Sequence, residues 1–453
     1  MENKMVYGIH DRPAFGKVIV FALQQLLAIL AATIAVPSIV GNGMSQSAAL
    51  FGAGVGTLVY LLFTKFKSPV FLGSSFAFIG SLSAAFAGAA TAQLGYLGLV
   101  IGAILAGLVY VVFAIIVKYA GTNWISKIMP PVVIGPTVAI IGLSLAGEAV
   151  KQALGYANYN SNMSAFVMDT TAILNLVCAL VTLFATVISS VYGKKMFKMI
   201  PFIIGILAGY LVATIITIIG ISSDNAALQI INFRLFEDMQ WVPKFTFVEA
   251  IGGIKDFSWS YLGTVAGAYI PVAFVVFAEH IADHKNLSTI IDQDLLKDPG
   301  LNRTLLGDGI GSMVGAFFGG CPNTTYGESV GCIAISKNAS VITTIVTAFM
   351  AIAFSFFAPF VTFLATIPYC VMGGVCVALY GFIAVSGLKM LQPVNLSDDK
   401  NLFVASIILI LGVGGMALGF GTIKITNIAV ALIVGIIANV VLSKKSKKAE
   451  EDK

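Results

Sequence analysis

The sequence predicts an all-α polytopic membrane protein of fourteen spans, set out as two inverted groups of seven, with the third and tenth spans part strand and part half-helix. Three observations predict it. The chain is 58% hydrophobic and only 10% charged, where soluble domains carry about 25% charged residues. Apolar runs of roughly 20 residues, the length that crosses a bilayer, recur from end to end. The basic residues also sort by side. If successive connections alternate across the membrane, only Lys151, Arg234, Lys244, Lys255 and Lys424 fall on one side, and the other 21 of the 26 fall opposite. By the positive-inside rule the richer side, with both termini, is cytoplasmic, which places the chain in the cell membrane. A missed or invented span would invert every later connection and spoil the split. The net charge of +5 is therefore a topology signal and implies no nucleic-acid partner.

The apolar blocks centre near 17–39, 47–64, 70–90, 94–117, 129–149, 166–191 and 200–221, then 261–283, 303–320, 323–336, 340–362, 366–388, 402–420 and 425–443. The charged start runs into a first block too long for a signal peptide, so it reads as an uncleaved span. The five cysteines, Cys178, Cys321, Cys332, Cys370 and Cys376, lack metal or redox spacing and read as buried thiols. No stretch is long and polar enough for a separate soluble domain. The segment 222–260 divides the chain into a first repeat at 1–221 and a second at 261–443, with a cytoplasmic tail at 444–453. An odd number of spans per half sets the second half upside down, and inverted repeats of this kind mark secondary transporters.

The third block of each half is the odd one. "SPVFLGSSFAFIGSLSAAFAG" (68–88) and "CPNTTYGESVGCIAISK" (321–337) both open with proline, then run through glycine and small polar residues into a short helical stretch. From Glu328 to Lys337 a helix covers roughly 15 Å, half of a hydrocarbon core about 30 Å thick. Extended chain must cross the rest, which is tolerable only inside protein or along a polar cavity. Two such strands can satisfy each other near the midplane. Each then enters a half-helix whose free N–H groups attract acceptor oxygens. Glu328 falls at one of these junctions. The blander reading makes 323–327 a re-entrant turn or external loop, and Glu328 a solvated carboxylate at a helix start.

A second acidic cluster, "AEHIADH" (278–284), ends the eighth block. Glu279 and Asp283 share a helix face, and His280 and His284 share the next. Carboxylates inside a span cost roughly 2.5–3.5 kcal/mol on insertion scales and so mark functional sites by default. Solvated charges at a cytoplasmic helix end are the alternative, above all for Asp283 and His284. The histidine spacing suits zinc, but no HExxH motif or third ligand accompanies it, so neither metal nor cofactor is expected. Glu148 reads as a partner of Lys151, and Asp308, in a glycine-rich stretch, as part of a close helix contact.

With those residues in hand, the chain resembles the nucleobase/ascorbate transporter (nucleobase:cation symporter-2) family, and its uracil permease branch most closely. "SPVFLGSSFAF" (68–78), "AEHIADH" (278–284), "LLKDPGLNRTLLGDG" (295–309), "PNTTYGE" (322–328) and "PYCVMGGVCVALYG" (368–381) carry the resemblance over nearly the whole chain. It implies a core domain at 15–118 and 261–362 and a gate domain at 129–221 and 366–443. It implies uptake of uracil with protons through the lipid bilayer. Carried over, Glu279 and Glu328 hold the edge of the pyrimidine, Phe76 and Gly327 donate backbone N–H groups to its carbonyls, Tyr326 lines the site, and Tyr380 is a gate-side tyrosine. Asp283, His284 and Glu279 are the candidates for proton coupling. The chain departs from the family pattern at Ser329, at Ser336 before Lys337, at Asp283 where some members have histidine, and at Gln24–Gln25 where many read Gln–His.

The chemistry suits a neutral ring with two N–H donors and two carbonyls. Hydrogen bonds to charged partners are worth roughly 1.5–3 kcal/mol each, and a site of fixed polar geometry rejects analogues that leave its groups unpaired. A carboxyl taken out of water holds a proton more firmly, a route to symport without a cofactor. Three alternatives stay open: a xanthine or urate transporter, an anion exchanger of the same fold, and a membrane metalloenzyme using Glu279, His280 and His284. A homodimer is compatible with all of this.

Overall fold

A computed structural model describes residues 5–160, 163, 165–194, 196–420 and 423–451; Lys4, Lys195 and Lys453 of the charge count lie outside the described residues. The first half runs α1 (Phe15–Val40), α2 (Gln46–Phe63), β1 (Leu72–Ser74), α3 (Ile79–Ala87), α4 (Ala92–Ala120), α5 (Pro131–Ser144), α6 (Ala146–Leu154), α7 (Thr170–Tyr192) and α8 (Pro201–Ser222). The second runs α9 (Trp259–Ile291), α10 (Leu301–Gly319), β2 (Asn323–Thr325), α11 (Gly327–Ser336), α12 (Val341–Ser355), α13 (Ala358–Thr366), α14 (Tyr369–Lys389), α15 (Asp399–Val413), β3 (Leu418–Phe420), β4 (Ile423–Ile425) and α16 (Asn427–Glu451). Among the described residues, eight helices are long and apolar enough to cross a membrane, or nine if the pair α12 and α13 counts as one span.

Local chemistry sets the helix starts. Ser45, Thr91 and Ser258 cap α2, α4 and α9 by accepting the N–H three residues on, and Asp169 does the same for α7 at 2.7 Å. Pro131 and Pro201 open α5 and α8, where a missing N–H costs nothing.

Helices α1, α2, α9 and α10 pack against the two strands, with α4 and α12 on the outer side of these helices, whereas α14 packs on α5, α6 and α7, and α15 on α5 and α16. Glycine permits the closest crossing. A Cβ on Gly56 of α2 would meet the Gly311 carbonyl of α10 at 2.7 Å, and one on Gly52 would overlap the Gly315 carbonyl. The two backbones touch, as small residues allow in helix pairs with no side chain between them.

β1 and β2 pair antiparallel, Leu72 with Thr325, Gly73 with Thr324 and Ser74 with Asn323. Ser75 N–H extends the ladder to the Pro322 carbonyl at 2.9 Å. The outer edge of β1 is closed by Thr57, whose hydroxyl accepts the Leu72 N–H at 2.9 Å. Asn323 anchors β2 by donating to the Gly52 carbonyl at 3.1 Å. All six strand residues are buried, so irregular chain is enclosed by protein as the sequence requires.

Four expectations are corrected. α9 runs to Ile291 instead of ending near 283, and closes only where Asp292 turns left-handed and gives its N–H to the Ser288 carbonyl. The block 340–362 is two helices bent by 81°, with Pro359 in the first turn of the second. The block 402–420 stops as helix at Val413 and turns into the β3–β4 hairpin, Leu418 opposite Ile425. Glu148 accepts from the Tyr156 hydroxyl, not from Lys151, whose ammonium lies 4.9 Å over the Tyr159 ring.

Candidate functional site

The strand pair delivers two chain segments to one place. After β1 a single 3₁₀ turn, Phe76–Phe78, leads into α3. After β2, Tyr326 leads directly into α11, with no side chain capping its start. The first N–H groups of α11, at Gly327, Glu328 and Ser329, therefore lack intrahelical partners by geometry.

α9 passes beside this junction. Asp283 Oδ2 accepts from the Thr325 hydroxyl of β2 at 2.8 Å. Its other oxygen would stand 3.8 Å from a Cβ built on Gly327. Glu279 lies one turn earlier, and the Glu279, Asp283 and Glu328 carboxylates are near enough to act on one another electrostatically. All three are half-buried. Glu279 and Glu328, proposed from sequence as a pair, are thus brought together, and Asp283 is bonded to the strand instead of being a solvated helix end.

The histidines point elsewhere. His280 Nδ1 sits 2.7 Å from Asp308 Oδ2 of α10, and its Nε2 is 3.0 Å from the Thr304 hydroxyl. His284 Nδ1 donates to the His280 carbonyl at 2.8 Å. Its Nε2 lies 2.7 Å from the Tyr60 hydroxyl, which is also 2.7 Å from Ser68 Oγ. Both rings are fully buried. His284 therefore belongs to a polar seam between α9 and α2, next to the carboxylate cluster and facing away from it.

Tyr326 is 3% exposed. Its hydroxyl donates to the Ser74 carbonyl at 2.9 Å, and its ring covers Gly73 so closely that any Cβ there would overlap it. The side chain braces the strand pair. Phe76 meets Tyr380 of α14 edge-on, centroids 5.5 Å apart at 78°. Tyr380 is buried, with Cys376, one turn earlier on α14, within reach of its hydroxyl.

The sequence reading missed three contributors. Ser329 accepts both the Phe71 N–H at 3.1 Å and the Gln25 amide of α1 at 3.0 Å. Gln25 in turn accepts from Thr347 of α12 at 3.0 Å. These bonds fix α11 against α1, α12 and the lead-in to β1. Asp308 was read as a packing position and instead pairs with His280. A lone acidic residue in an apolar block, and paired glutamines in another, were the signals available.

A cavity of about 770 Å³ opens beyond the end of α1, walled by the start of α2, the ends of α6 and α13, the starts of α7 and α14, and the connection 222–260. The carboxylate cluster does not line it.

The Permease family model Xan_ur_permease matches residues 16–419. A protein named uracil permease from Bacillus caldolyticus is 40% identical over 452 residues, covering 99% of this chain and 97% of its own. A uracil permease from Bacillus subtilis (strain 168) is 38% identical over 457 residues, covering 100% and 98%. Among solved structures, the transmembrane domain of a cyanobacterium bicarbonate transporter, BicA, superposes with a TM-score of 0.64 at 16% identity, over 96% of this chain and 100% of that one; at that identity the likeness is one of fold. Relatives matched along their whole length, together with the run of apolar helices, make the conclusion plain: the chain belongs to the Permease family, a multi-pass membrane transporter and not an enzyme.

Proposed function

We propose that this permease imports uracil across the cytoplasmic membrane by proton symport. The observation that carries the reading is the meeting of Glu279, Asp283 and Glu328 beside the open N-terminus of α11. Carboxylates accept from the ring N–H groups, and the N–H groups of Phe76 and Gly327 donate to its carbonyls. This is a complete complement for a neutral cyclic imide. Relatives named uracil permeases over their full length support the choice of base.

On this reading fourteen segments cross the bilayer as two inverted sevens with both termini cytoplasmic. The core at 15–118 and 261–362 holds the site, and the gate at 129–221 and 366–443 moves against it. Asp283 couples the proton, since it touches β2 and faces Glu279. His284, in the seam between α9 and α2, is the second candidate to hold the proton. An anionic substrate is disfavoured, because three carboxylates at the site repel it.

Equilibrium binding of labelled uracil to purified protein tests the reading, with unlabelled thymine, cytosine, xanthine and urate as competitors. Uracil should bind saturably and be displaced weakly by the purines. Displacement by xanthine or urate at lower concentration than by uracil would move the chain to the purine branch. Absence of saturable uracil binding would sink the proposal.

A further inference from the structure

Residues 6–11 take no part in the carboxylate site, yet they are built onto the helix that carries Glu328. α11 has ten residues, too few for a helix to stand on its own. Its start is fixed by β2 and by the bonds of Ser329. Its far end is fixed by residues 6–11. Lys337, which closes α11 in a left-handed conformation at φ 56°, accepts the N–H groups of Val6 at 2.8 Å and Tyr7 at 3.1 Å. Tyr7 then runs parallel to Asn338. Ala339 donates to the Tyr7 carbonyl at 2.8 Å, and Val341 to the Ile9 carbonyl at 3.1 Å. The Ser340 hydroxyl completes the ladder on the Asp11 carbonyl at 2.7 Å. Of residues 6–11 only Ile9 is buried, and it is 4% exposed.

The apolar cluster that Ile9 enters is separate from the main core. It holds Val330 and Ile333 of α11, Leu287 and Ile291 of α9, and Val70 and Leu72 at β1. Among the described residues, no buried apolar side chain of α11 belongs to the main core; the third of them, Cys332, packs with Ala28 and Met199. One small cluster therefore joins the helix of Glu328 to the helix of Glu279 and Asp283, and the strap 6–11 supplies one of its side chains. Interiors are close-packed, so a gap left at Ile9 is felt by the side chains around it. Val330 is only two residues from Glu328. We infer that Ile9 is a positioning residue of the substrate site: through the strap it holds the far end of α11, and so keeps Glu328 in register with Glu279 and Asp283. The inference rests on the reading of those carboxylates as the substrate site and adds a residue that acts on it from behind.

Equilibrium binding of labelled uracil to the purified full chain tests it, with thermal unfolding and amide hydrogen exchange followed on the same samples. Ile9→Ala should weaken uracil binding about tenfold and speed exchange along α11, and Ile9→Val should bring binding back to within about twofold of the parent. Ser340→Ala frees the end of the strap and leaves the cluster whole, and should weaken binding about threefold. Ile408→Ala is the comparison. Ile408, on α15, is fully buried against Gly435, so its truncation should lower the unfolding temperature at least as far as Ile9→Ala does, while binding stays within about twofold. Parent-like binding by Ile9→Ala overturns the inference. So does a loss of affinity in Ile408→Ala as large as that in Ile9→Ala, because affinity would then follow stability alone. If Ile9→Ala does not fold, Ser340→Ala decides: weaker binding with faster exchange along α11 supports the strap, and parent-like binding overturns it. The underlying reading fails separately, when uracil does not bind the parent or when Glu328→Gln binds it like the parent.

Discussion

Glu328→Gln keeps the size of the side chain but turns one acceptor oxygen into a donor, so an N–H of the ring would face another N–H. The expected loss is about 2–4 kcal/mol of uracil binding, a factor of roughly 30 to 1,000, read by equilibrium binding on purified protein. Parent-like binding would make Glu328 a helix-start charge and nothing more. Ser329 is a different kind of residue. Ser329→Ala would strip a partner from the buried Phe71 N–H and from Gln25 at once, and should cost about 1–3 kcal/mol of stability. Thermal unfolding in detergent should register the drop even without substrate. The acidic residues of the site were legible in the sequence because a carboxylate in an apolar block has no stabilising excuse. Ser329 was not, since a serine between Glu328 and Val330 in a half-helix looks like ordinary packing until the fold brings Gln25 to it across about 300 residues. The same holds for Asp308. Its partner lies on the preceding helix, and only the crossing of α9 with α10 chooses His280 from among the groups within reach.

Among the elements, α9 carries two polar faces with separate duties. One presents Glu279 and Asp283 to the strand junction, and the next sends His280 and His284 into neighbouring helices. Asp283→Asn retains a group that accepts from Thr325 but removes the charge, so uracil binding should stay within a few-fold while pH-driven accumulation in vesicles falls. Accumulation that keeps its full pH dependence would pass the proton to Glu279 or His284. Tyr60→Phe, on the far side of the seam, should lower stability by about 1 kcal/mol and leave binding alone. The strand pair answers to a single glycine. Gly73→Ala would drive a Cβ into the Tyr326 ring and is expected to cost about 1–3 kcal/mol by overpacking. Gly331→Ala, a position with open space around it, should be neutral or mildly stabilising. The broken elements were readable from proline, glycine and the shortness of the helical run. The ends of α9 and α15 were not, because hydropathy reports where lipid would be tolerated, whereas a helix ends where capping and packing end it.

At the scale of the molecule, the lopsided basic charge makes a claim that labelling can check. Single cysteines at Lys194 and Lys389 should react with an impermeant thiol reagent only from the cytoplasmic side, and one at Asp224 only from outside; the wild-type cysteines are all buried. The opposite pattern at any of the three would break the fourteen-span topology. The joining of the halves through β1 and β2 also bears on how the protein is made. About 250 residues separate the two strands, and at roughly 5–20 residues per second the ribosome needs tens of seconds to deliver the second after the first. During that interval β1 sits in the membrane with one edge unmatched, a state that protein or water must shelter. The nascent first half is thus a client for whatever holds unfinished chains at the insertion machinery. It also follows that residues 1–221 and 222–453, synthesised as separate chains, should regain transport when made together and be degraded when made singly.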